Sequence, residues 1–404
     1  MLQLRLAWRN LWRNRRRTFI TIAAVFFAGF SIISMRSLQT GAYGSMVRTM
    51  VGSHTGFIQV HQKGYWDEKF IDNSFEERPE LREEMSSVPG VMGVSPRLTS
   101  HSLIAFEDRS RPAMVDGIDA EYEAQLDIES NLIAGDSKPG DGVLIGQGMA
   151  KFLNVEVGDS VVFLGSGYHG MSANALLPVR GVVRFTSPVL NDNTAFIDLR
   201  MAQYVFAAPG MLTAYAINTD PNADLDAVLA DVTQVVQDTS GYEVMGWHEM
   251  MPELVQSIEA DSAGGILMAG ILYIVISFSL LGTFIMLAAE RKREYGMLIG
   301  LGMRRGQLMR VAFIEASAMA IMGAALAVVI TRPLTLYYYY NPIQFTGQAM
   351  EALREMGMEP VMPASIDWSI PLTHGSILIF LTLTISLYAM ISIKRIQPVN
   401  AMRS

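Results

Sequence analysis

The chain has 404 residues, of which 50% are hydrophobic, and it carries 31 basic and 39 acidic residues for a formal net charge of −8. It contains no cysteine, which excludes disulfides, thiolate metal sites and cysteine nucleophiles. The acidic balance gives no indication of a nucleic-acid partner.

Four apolar stretches are each long enough to cross a bilayer, since about 20 helical residues suffice. Glu315 and His374 are the only charged or histidine residues inside their apolar cores, which cover 18–35, 263–289, 311–331 and 372–393. The predicted membrane spans are 18–39, 263–289, 311–332 and 372–393.

Basic residues cluster in the segments that flank these spans on one side. Segment 1–17 holds six arginines and no acid, the loop 290–310 holds six basic residues, and the tail 394–404 holds three. Short loops rich in Lys and Arg stay in the cytoplasm. We therefore expect both termini and the loop 290–310 to be cytoplasmic, with the large domain 40–262 and the loop 333–371 on the outer side.

The first span is expected to be an uncleaved signal anchor, because its apolar run is long and no small-x-small cleavage site follows it. Ahead of it, Leu4, Trp8, Leu11 and Trp12 share one helical face beside a stripe of arginines. This pattern favours an amphipathic helix within 1–17 that lies on the inner membrane surface, near anionic lipid. A simple charged flank with incidental Trp residues is the alternative interpretation.

The outer domain 40–262 begins and ends with a strand–helix–strand pattern. In the second pattern, six apolar residues after 224 share one helix face. The two patterns predict one split α+β layer of ferredoxin-like type. Between them, 103–205 is rich in Gly, Val and turn signals, which predicts a β-rich insertion. Residues 248–262 are predicted to form a stalk helix that runs into the second span.

The search for catalytic chemistry is negative. No G-x-x-x-x-G-K-[ST] sequence occurs, so the chain has no P-loop for ATP. The six histidines are dispersed without a recognised metal spacing, and His54 and His61 are predicted to be surface residues. No Ser/His/Asp set can be assembled. We therefore expect a non-catalytic chain without a metal site.

The loop 290–310 shows the most specific pattern of the chain. A short amphipathic helix is predicted over 296–310, with Met297, Leu298 and Leu301 on one side. Such a helix between two spans is suited to a groove of a cytoplasmic partner. The other interpretation is a positively charged loop whose residues only fix the topology.

This loop resembles the signature of FtsX/MacB-type ABC transporter permeases. That signature has an Arg-Glu-φ-Gly turn, a Leu-Gly-x-x-Arg/Lys-x-Gln helix and a Glu early in the next span. The matching residues are Arg293, Glu294, Tyr295 and Gly296, then Leu301, Gly302, Arg305 and Gln307, and finally Glu315. The C-terminal Arg395–Arg403 is similar to the family's Pro-x-x-Ala-Leu-Arg ending, with Met402 in place of Leu. The layout is most similar to that of the lipoprotein-release (LolC/LolE-like) permeases.

The resemblance implies an α+β membrane protein of the bacterial inner membrane, with four transmembrane helices and a large MacB-like periplasmic domain. In that domain a ferredoxin-like porter layer is split by a β-rich sabre insertion. It also implies a separate cytoplasmic ABC ATPase dimer that binds ATP and Mg, so this chain needs no cofactor of its own. A second permease copy or a related permease, a periplasmic carrier or adaptor, and membrane lipids are the other expected partners.

The resemblance further implies that the loop couples to the ATPase. The coupling residues are Arg293, Glu294, Tyr295, Gly296, Leu301, Gly302, Arg304, Arg305, Gln307 and Glu315. An acid inside a span is costly unless it is paired or near the interface. We therefore expect Glu315 to anchor the loop helix through Arg310 or Arg304, with an interfacial Glu that reaches water as the alternative.

Three functions remain open. The first is lipoprotein release, in which acyl chains enter a groove between spans one and two; the candidate groove residues are Phe26, Phe27, Phe30, Ile271, Ile274 and Phe278. In the alternative interpretation these residues only pack the dimer. The second function is export of peptides or macrolides with an adaptor and an outer-membrane channel. The third is FtsX-like signalling to a cell-wall hydrolase.

Overall fold

A computed structural model describes residues 2–13, 15–119, 126–185, 187–220, 223–237, 241–355 and 359–394. The chain forms two compact units. The membrane unit comprises Met1–Tyr43, Ser257–Gln344 and Val361–Ser404, and the sheet unit comprises Gly44–Gln256 and Phe345–Pro360. The C-terminal motif at 395–403 lies outside the described residues.

The described part of the chain contains helices that alternate with strands in the sheet unit and follow one another in the membrane unit. In chain order the helices are α1 (Leu2–Arg13), α2 (Arg15–Val47), α3 (Tyr65–Glu68), α4 (Pro79–Ser86), α5 (Ile128–Asn131), α6 (Gln147–Leu153), α7 (Pro188–Asn193), α8 (Leu199–Val205), α9 (Leu225–Gln237), α10 (Trp247–Met250), α11 (Pro252–Glu290), α12 (Lys292–Gly300), α13 (Arg305–Tyr340), α14 (Gln348–Glu355) and α15 (Ser369–Lys394).

The strands are β1 (Ile58–Gln62), β2 (Phe75–Glu76), β3 (Val91–Phe106), β4 (Arg109–Ile118), β5 (Leu132–Gly135), β6 (Val143–Gly146), β7 (Ser160–Ser166), β8 (Ser172–Val183), β9 (Thr194–Asp198), β10 (Met211–Leu212), β11 (Ala214–Thr219), β12 (Tyr242–Gly246), β13 (Ile343–Gln344) and β14 (Val361–Met362). A π-helix, Arg48–Thr55, follows α2, and two 3-10 turns cover Ile71–Asn73 and Tyr168–Gly170.

Four helices of the described chain, α2, α11, α13 and α15, are long and apolar enough to cross a membrane, which confirms the prediction of four long apolar helices. Their ends extend beyond the predicted spans, because a helix continues into polar residues as long as its backbone hydrogen bonds continue. The predicted stalk and second span form one helix, α11, which begins at Pro252 after a break at Met251.

Small residues allow the spans of the membrane unit to pack closely. A Cβ atom on Gly29 of α2 would lie 2.7 Å from the Cβ of Ala327 on α13. One on Gly323 would lie 2.7 Å from the Cβ of Val25. Because both contacts leave no room for a side chain, α2 and α13 cross at two adjacent levels where their backbones approach each other.

The sheet unit is built on one ten-stranded sheet with the path β12-β1-β11-β3-β4-β9-β6-β8-β5, and β7 pairs with both β3 and β8. The first four strands of this path are antiparallel neighbours. Further along, β4 pairs with β9 and β6 pairs with β8 in parallel, while β7 and β8 form an antiparallel hairpin.

The helices of the sheet unit bury the faces that the apolar spacing predicts. Val228, Val232 and Val236 lie four residues apart on α9, and all three are buried. They belong to one hydrophobic cluster with Leu81 and Met85 of α4 and with the inward residues of the sheet. One hydrophobic cluster therefore includes residues from both strand–helix–strand patterns and from the strands inserted between them.

The prediction that His54 and His61 lie on the surface is wrong. His61 is fully buried in β1, and the His54 side chain is largely buried and lies 2.6 Å from the carboxylate of Asp116. Thr99 donates a 2.5 Å hydrogen bond to the same carboxylate, and Arg97 donates to the carbonyl of His54. Burial by itself would raise the pKa of Asp116, but His54, Arg97 and Thr99 hold it below its ordinary value.

Candidate functional site

The segment between α12 and α13 is a tight turn and not a continuous helix. Gly302 has a φ of 94°, a left-handed conformation that glycine adopts without strain. Its N–H donates to the carbonyl of Ile299 at 3.0 Å, and that of Met303 donates to Leu298 at 3.0 Å. These bonds satisfy carbonyls at the end of α12. The prediction of one helix over 296–310 is therefore wrong, because Gly302 ends the first helix inside that range.

The start of α13 is fixed by Gln307. Its side-chain oxygen accepts a 3.1 Å hydrogen bond from the backbone N–H of Arg304, which has extended dihedral angles. A polar side chain at the third helical position that reaches back to the preceding residue is one half of a capping box. Gly302 and Gln307 therefore define the geometry of the turn from both ends.

The turn exposes an apolar side chain that basic residues flank in the sequence. Leu301 is 85% exposed, and Met297 and Leu298 are also exposed. Arg293, Arg304 and Arg305 are exposed as well, as is the polar Gln307. An exposed Leu at the tip of a rigid turn, with positive charge at its sides, is suited to insertion into an apolar pocket of a partner with an acidic rim.

Two other residues of the signature point inward. Tyr295 is 6% exposed and Gly296 is also buried. Tyr295 packs in a hydrophobic cluster with Leu280, Phe284 and Leu308. Burial raises the pKa of the Tyr295 hydroxyl, which forms a side-chain hydrogen bond with Arg291. α12 is therefore attached to α11 and α13 through its inner face.

Glu315 lies at the centre of a buried polar network. Its residue surface is 2% exposed, one carboxylate oxygen pairs with Arg291, and the other accepts a 2.7 Å hydrogen bond from the Asn10 side-chain nitrogen. The prediction that Glu315 pairs with Arg310 or Arg304 is wrong, since its partners are Arg291 and Asn10. Arg304 precedes α13, and Arg310 is five residues before Glu315, a spacing that places it on a different face of the helix.

A second contact joins α1 to α12. Arg13 of α1 forms an ion pair with Glu294, with both side chains about half exposed. Such exposed pairs contribute little stability, about 0–1 kcal/mol. Asn10 and Arg13 are three residues apart and therefore project from the same face of α1. That spacing is the signal that could have identified α1 as part of this network.

Four of the six candidate groove residues are exposed, and the other two, Phe26 and Phe30, are partly buried. On α2, the ring of Phe26 lies 5.1 Å from that of Phe27 and 5.9 Å from that of Phe30. Phe27 is 64% exposed. On α11, three groove residues with an i, i+3, i+7 spacing are all more than half exposed: Ile271, Ile274 and Phe278. Both helices therefore present apolar surface that this single chain does not cover.

A polar cluster joins the C-terminal part of α2 to the N-terminal part of α11. The carboxylate of Asp261 accepts hydrogen bonds from the Tyr43 hydroxyl at 2.6 Å and from the Gln39 amide at 3.0 Å. Arg36 in turn donates to the side-chain oxygen Oε1 of Gln39 at 2.6 Å. These bonds fix the two helices to each other at one level of the membrane unit.

Two family models match the chain. The model described as MacB-like periplasmic core domain covers residues 18–235, which is more than half of the chain, and the one described as FtsX-like permease C-terminal covers residues 266–398. The first includes most of α2 and most of the sheet unit. The second includes α12, the turn, Glu315 and the last two spans.

Individual relatives are distant in sequence. The chain is 20% identical over 346 residues to the macrolide export ATP-binding/permease protein MacB of Escherichia coli, which covers 81% of this chain and 51% of MacB. It is 22% identical over 342 residues to the lipoprotein-releasing system transmembrane protein LolE of Haemophilus influenzae, with 80% of each chain covered. This chain thus spans about half the length of MacB.

Among solved structures, the periplasmic region of MacB from Actinobacillus actinomycetemcomitans matches 53% of this chain and 98% of its own length, at 15% identity and a TM-score of 0.37. The two family models together cover most of the sheet unit, most of each apolar helix and the loop signature. The chain therefore belongs to the FtsX/MacB-type permeases, the membrane components of bacterial ABC transporters.

Proposed function

We propose that this chain is a permease subunit of the mechanotransmission (type VII) class, which couples ATP hydrolysis by a separate cytoplasmic ATPase dimer to work in the periplasm. The work proposed is the release of lipoproteins from the outer leaflet of the inner membrane. The observation that carries the proposal is the exposed turn around Leu301, held on the membrane unit by the buried pair of Arg291 and Glu315.

The turn has the properties of a coupling element. Its outer face offers Leu301 and basic side chains to a partner, whereas its inner side is fixed through Tyr295 and Arg291. A push on the outer face therefore moves α12 and α13 together and does not merely bend a loop. For this role the turn must face the cytoplasm, which agrees with the positive charge of 290–310.

Two helices offer a path from the membrane unit to the sheet unit. α2 and α11 each have residues in both units. α11 has 39 residues, so at 1.5 Å per residue it is roughly 58 Å long. We propose that these helices transmit the movement of the turn to the porter layer without a hydrophilic path for substrate through the spans.

The porter and sabre assignments are supported by the strand order. β12, β1, β11 and β3 form the order 4-1-3-2 of a split β-α-β unit pair, with α4 and α9 as the two helices. The strands β4 to β9 are inserted between the two halves of this pattern in the sequence. We propose that the first four strands form the porter layer and that the inserted strands form the sabre.

A second permease copy, identical or related, is part of the proposal. The exposed apolar face of α11 includes Ile271, Ile274 and Phe278, and Phe27 adds apolar surface on α2. Lipid covers such a face in a monomer, whereas a second permease and an acyl chain compete for it in the assembled transporter. We propose that acyl chains of the cargo contact Phe26, Phe27 and Phe30 during release.

Export of a small molecule is the second candidate function. It is supported by the match to MacB, which extends over 81% of this chain. Lipoprotein release is preferred because the match to LolE covers 80% of both chains. The two functions differ in their periplasmic partner, which is a lipoprotein carrier in the first case and an adaptor with an outer-membrane channel in the second.

Purification of the chain with its ATPase from native membranes, followed by mass spectrometry, tests the proposal. We expect acylated proteins that leave on addition of ATP. A photo-crosslinker at Phe27 or Phe278 should capture them, whereas one at Phe380, equally exposed on α15, should capture only lipid. Recovery of an adaptor and a channel without acylated cargo would favour export, and recovery of a cell-wall hydrolase would favour signalling.

A further inference from the structure

The membrane unit contains another apolar groove, which has only Phe26 in common with the candidate cargo groove. It lies between α1, the first three turns of α2 and the middle of α13, and it has a volume of about 570 Å³. Its walls include Trp8, Trp12, Phe19, Phe26, Leu326 and Val329. This size falls within the range of about 300–1,000 Å³ that is typical of small-ligand sites.

The polar side chains among the lining residues are confined to one end. Besides the indole N–H groups, they are Arg15 and Thr18, at the start of α2. Thr18 donates its hydroxyl to the carbonyl of Leu11 at 2.9 Å, so this group connects α2 to α1. Arg15 is exposed, and its Nε donates to the carbonyl of Trp12 at 3.3 Å, which uses one of its five N–H donors.

The groove therefore has an apolar body and a cationic rim. Trp8 and Trp12 lie at the rim with Arg15, and both are about half exposed. Trp and Arg at this level of a membrane helix contact lipid headgroups. An Arg guanidinium binds phosphate oxygens through charge-assisted hydrogen bonds. The complementary ligand has an apolar chain and an anionic phosphate head.

We propose that this groove is a binding site for one anionic phospholipid of the leaflet next to the N-terminus, with an acyl chain between α2 and α13 and its phosphate at Arg15. The site shares only Phe26 with the candidate cargo groove, since Phe27, Phe30 and the α11 residues do not line it. It does not depend on which substrate the transporter moves.

A lipid in this groove stabilises the attachment of α1 to the membrane unit. Leu11 lines the groove and also belongs to the buried cluster that contains Tyr295 and Leu308. On the same helix, Asn10 contacts Glu315 and Arg13 contacts Glu294. Because the lipid contacts α1 only when α1 is attached, binding favours the attached arrangement.

Native mass spectrometry of the full chain tests the site with two defined probes, phosphatidylglycerol and phosphatidylcholine. We expect the wild type to retain phosphatidylglycerol, and Arg15→Gln to bind it about tenfold more weakly, the loss expected for one charge-assisted contact. Arg16→Gln is the matched control, because Arg16 is exposed on the next position of α2 but does not line the groove. It should bind as the wild type does.

A second variant blocks the apolar body. Ala325 lines the groove and is exposed, so Ala325→Trp fills the space without entering the core. It should abolish retention of the lipid and increase hydrogen exchange in α1, whereas Ala263→Trp, on an exposed position of α11, should do neither.

Both readouts are independent of transport and of the ATPase, so failure of the proposed function would leave them unchanged. Equal retention of both lipids by the wild type and Arg15→Gln would overturn the proposal. So would full retention by Ala325→Trp. Capture of an acylated protein instead of phospholipid by a photo-crosslinker at Val329 would also overturn it.

Discussion

The Asn10 side chain donates a 2.7 Å hydrogen bond to Glu315, although 305 residues separate them in the sequence. Arg291 pairs with the other oxygen of the same carboxylate. One buried acid therefore joins α1, the end of α11 and α13, and α12 follows directly after Arg291. The turn around Leu301 is held by this junction, which makes Glu315 the residue on which the proposed coupling depends most.

Replacement of Glu315 by Gln should destabilise the chain by about 3 kcal/mol, because it leaves Arg291 buried without a counter-charge. Thermal unfolding of the purified chain in detergent measures this effect. The matched control is Glu294→Gln, which removes the exposed pair with Arg13 and should change stability by less than about 1 kcal/mol. If Glu315→Gln changes the stability as little as Glu294→Gln does, Glu315 has no structural role in the junction.

The conformation of Gly302 gives a prediction about backbone strain. Gly302→Ala places a Cβ on a residue with a φ of 94°, which should cost about 1 kcal/mol or more. Gly300→Ala, two residues earlier, meets no atom within 4 Å and has no positive φ, so it should leave stability unchanged or raise it. Circular dichroism melts of both variants check this difference, and a stable Gly302→Ala variant would contradict the turn.

Leu301 should matter for coupling and not for folding. Because it is 85% exposed, Leu301→Ala should shift the unfolding free energy by less than about 0.5 kcal/mol. If it fills a pocket of the ATPase, the same change should weaken the complex by about 2 kcal/mol, as for a central interface residue. Affinity measurements with the ATPase test this, with Met92→Ala, 71% exposed on β3, as the control. If the affinity for the ATPase is unchanged in Leu301→Ala, Leu301 does not contribute to the interface.

The pair of His54 and Asp116 predicts a dependence of stability on pH. Burial opposes ionisation, but the partners hold the pKa of Asp116 below its ordinary value of 3.8. A lowered carboxyl pKa adds stability that is present above the unfolded-state value and is lost as the pH falls through the folded-state value. The unfolding free energy of the wild type should therefore decrease below about pH 4.

Asp116→Asn should remove that part of the acid dependence, and it should destabilise the protein at neutral pH by about 3 kcal/mol because His54 and Arg97 lose their buried partner. Asp141→Asn is the control for the loss at neutral pH, since Asp141 pairs with Arg180 on the surface and no buried partner loses its counter-charge. Unfolding curves between pH 3 and 7 for the three proteins compare these effects. An unchanged acid slope in Asp116→Asn would show that other carboxyls cause it.

Local patterns predicted much of the fold. The long apolar stretches predicted the four apolar helices, and the spacing of Val228, Val232 and Val236 predicted the buried face of α9. These features depend on residues that are close in sequence, so periodicity reveals them. The turn is the exception. The family signature includes Gly302 and Gln307, but the local pattern predicts a helix that continues through both residues.

Contacts between distant residues could not be predicted in the same way. The need of Glu315 for a partner followed from its place in an apolar span, but the choice of Arg291 and Asn10 depends on how three helices pack. Likewise, the burial of His54 follows from Asp116 on β4, which is far away in sequence. A sequence pattern predicts a polar residue to be exposed when its partner is distant in the sequence, even if the fold buries both.

Site-specific photo-crosslinking at Leu301, in membranes that contain the ATPase, tests whether the turn is the coupling element. We expect a crosslink from Leu301 to the ATPase subunit, and none from Met92 of the sheet unit, which is also exposed. Identification of the crosslinked protein by mass spectrometry also reports the side of the membrane on which the turn lies. A crosslink from Met92 to the ATPase, or from Leu301 only to periplasmic proteins, would show that the turn does not couple to the ATPase.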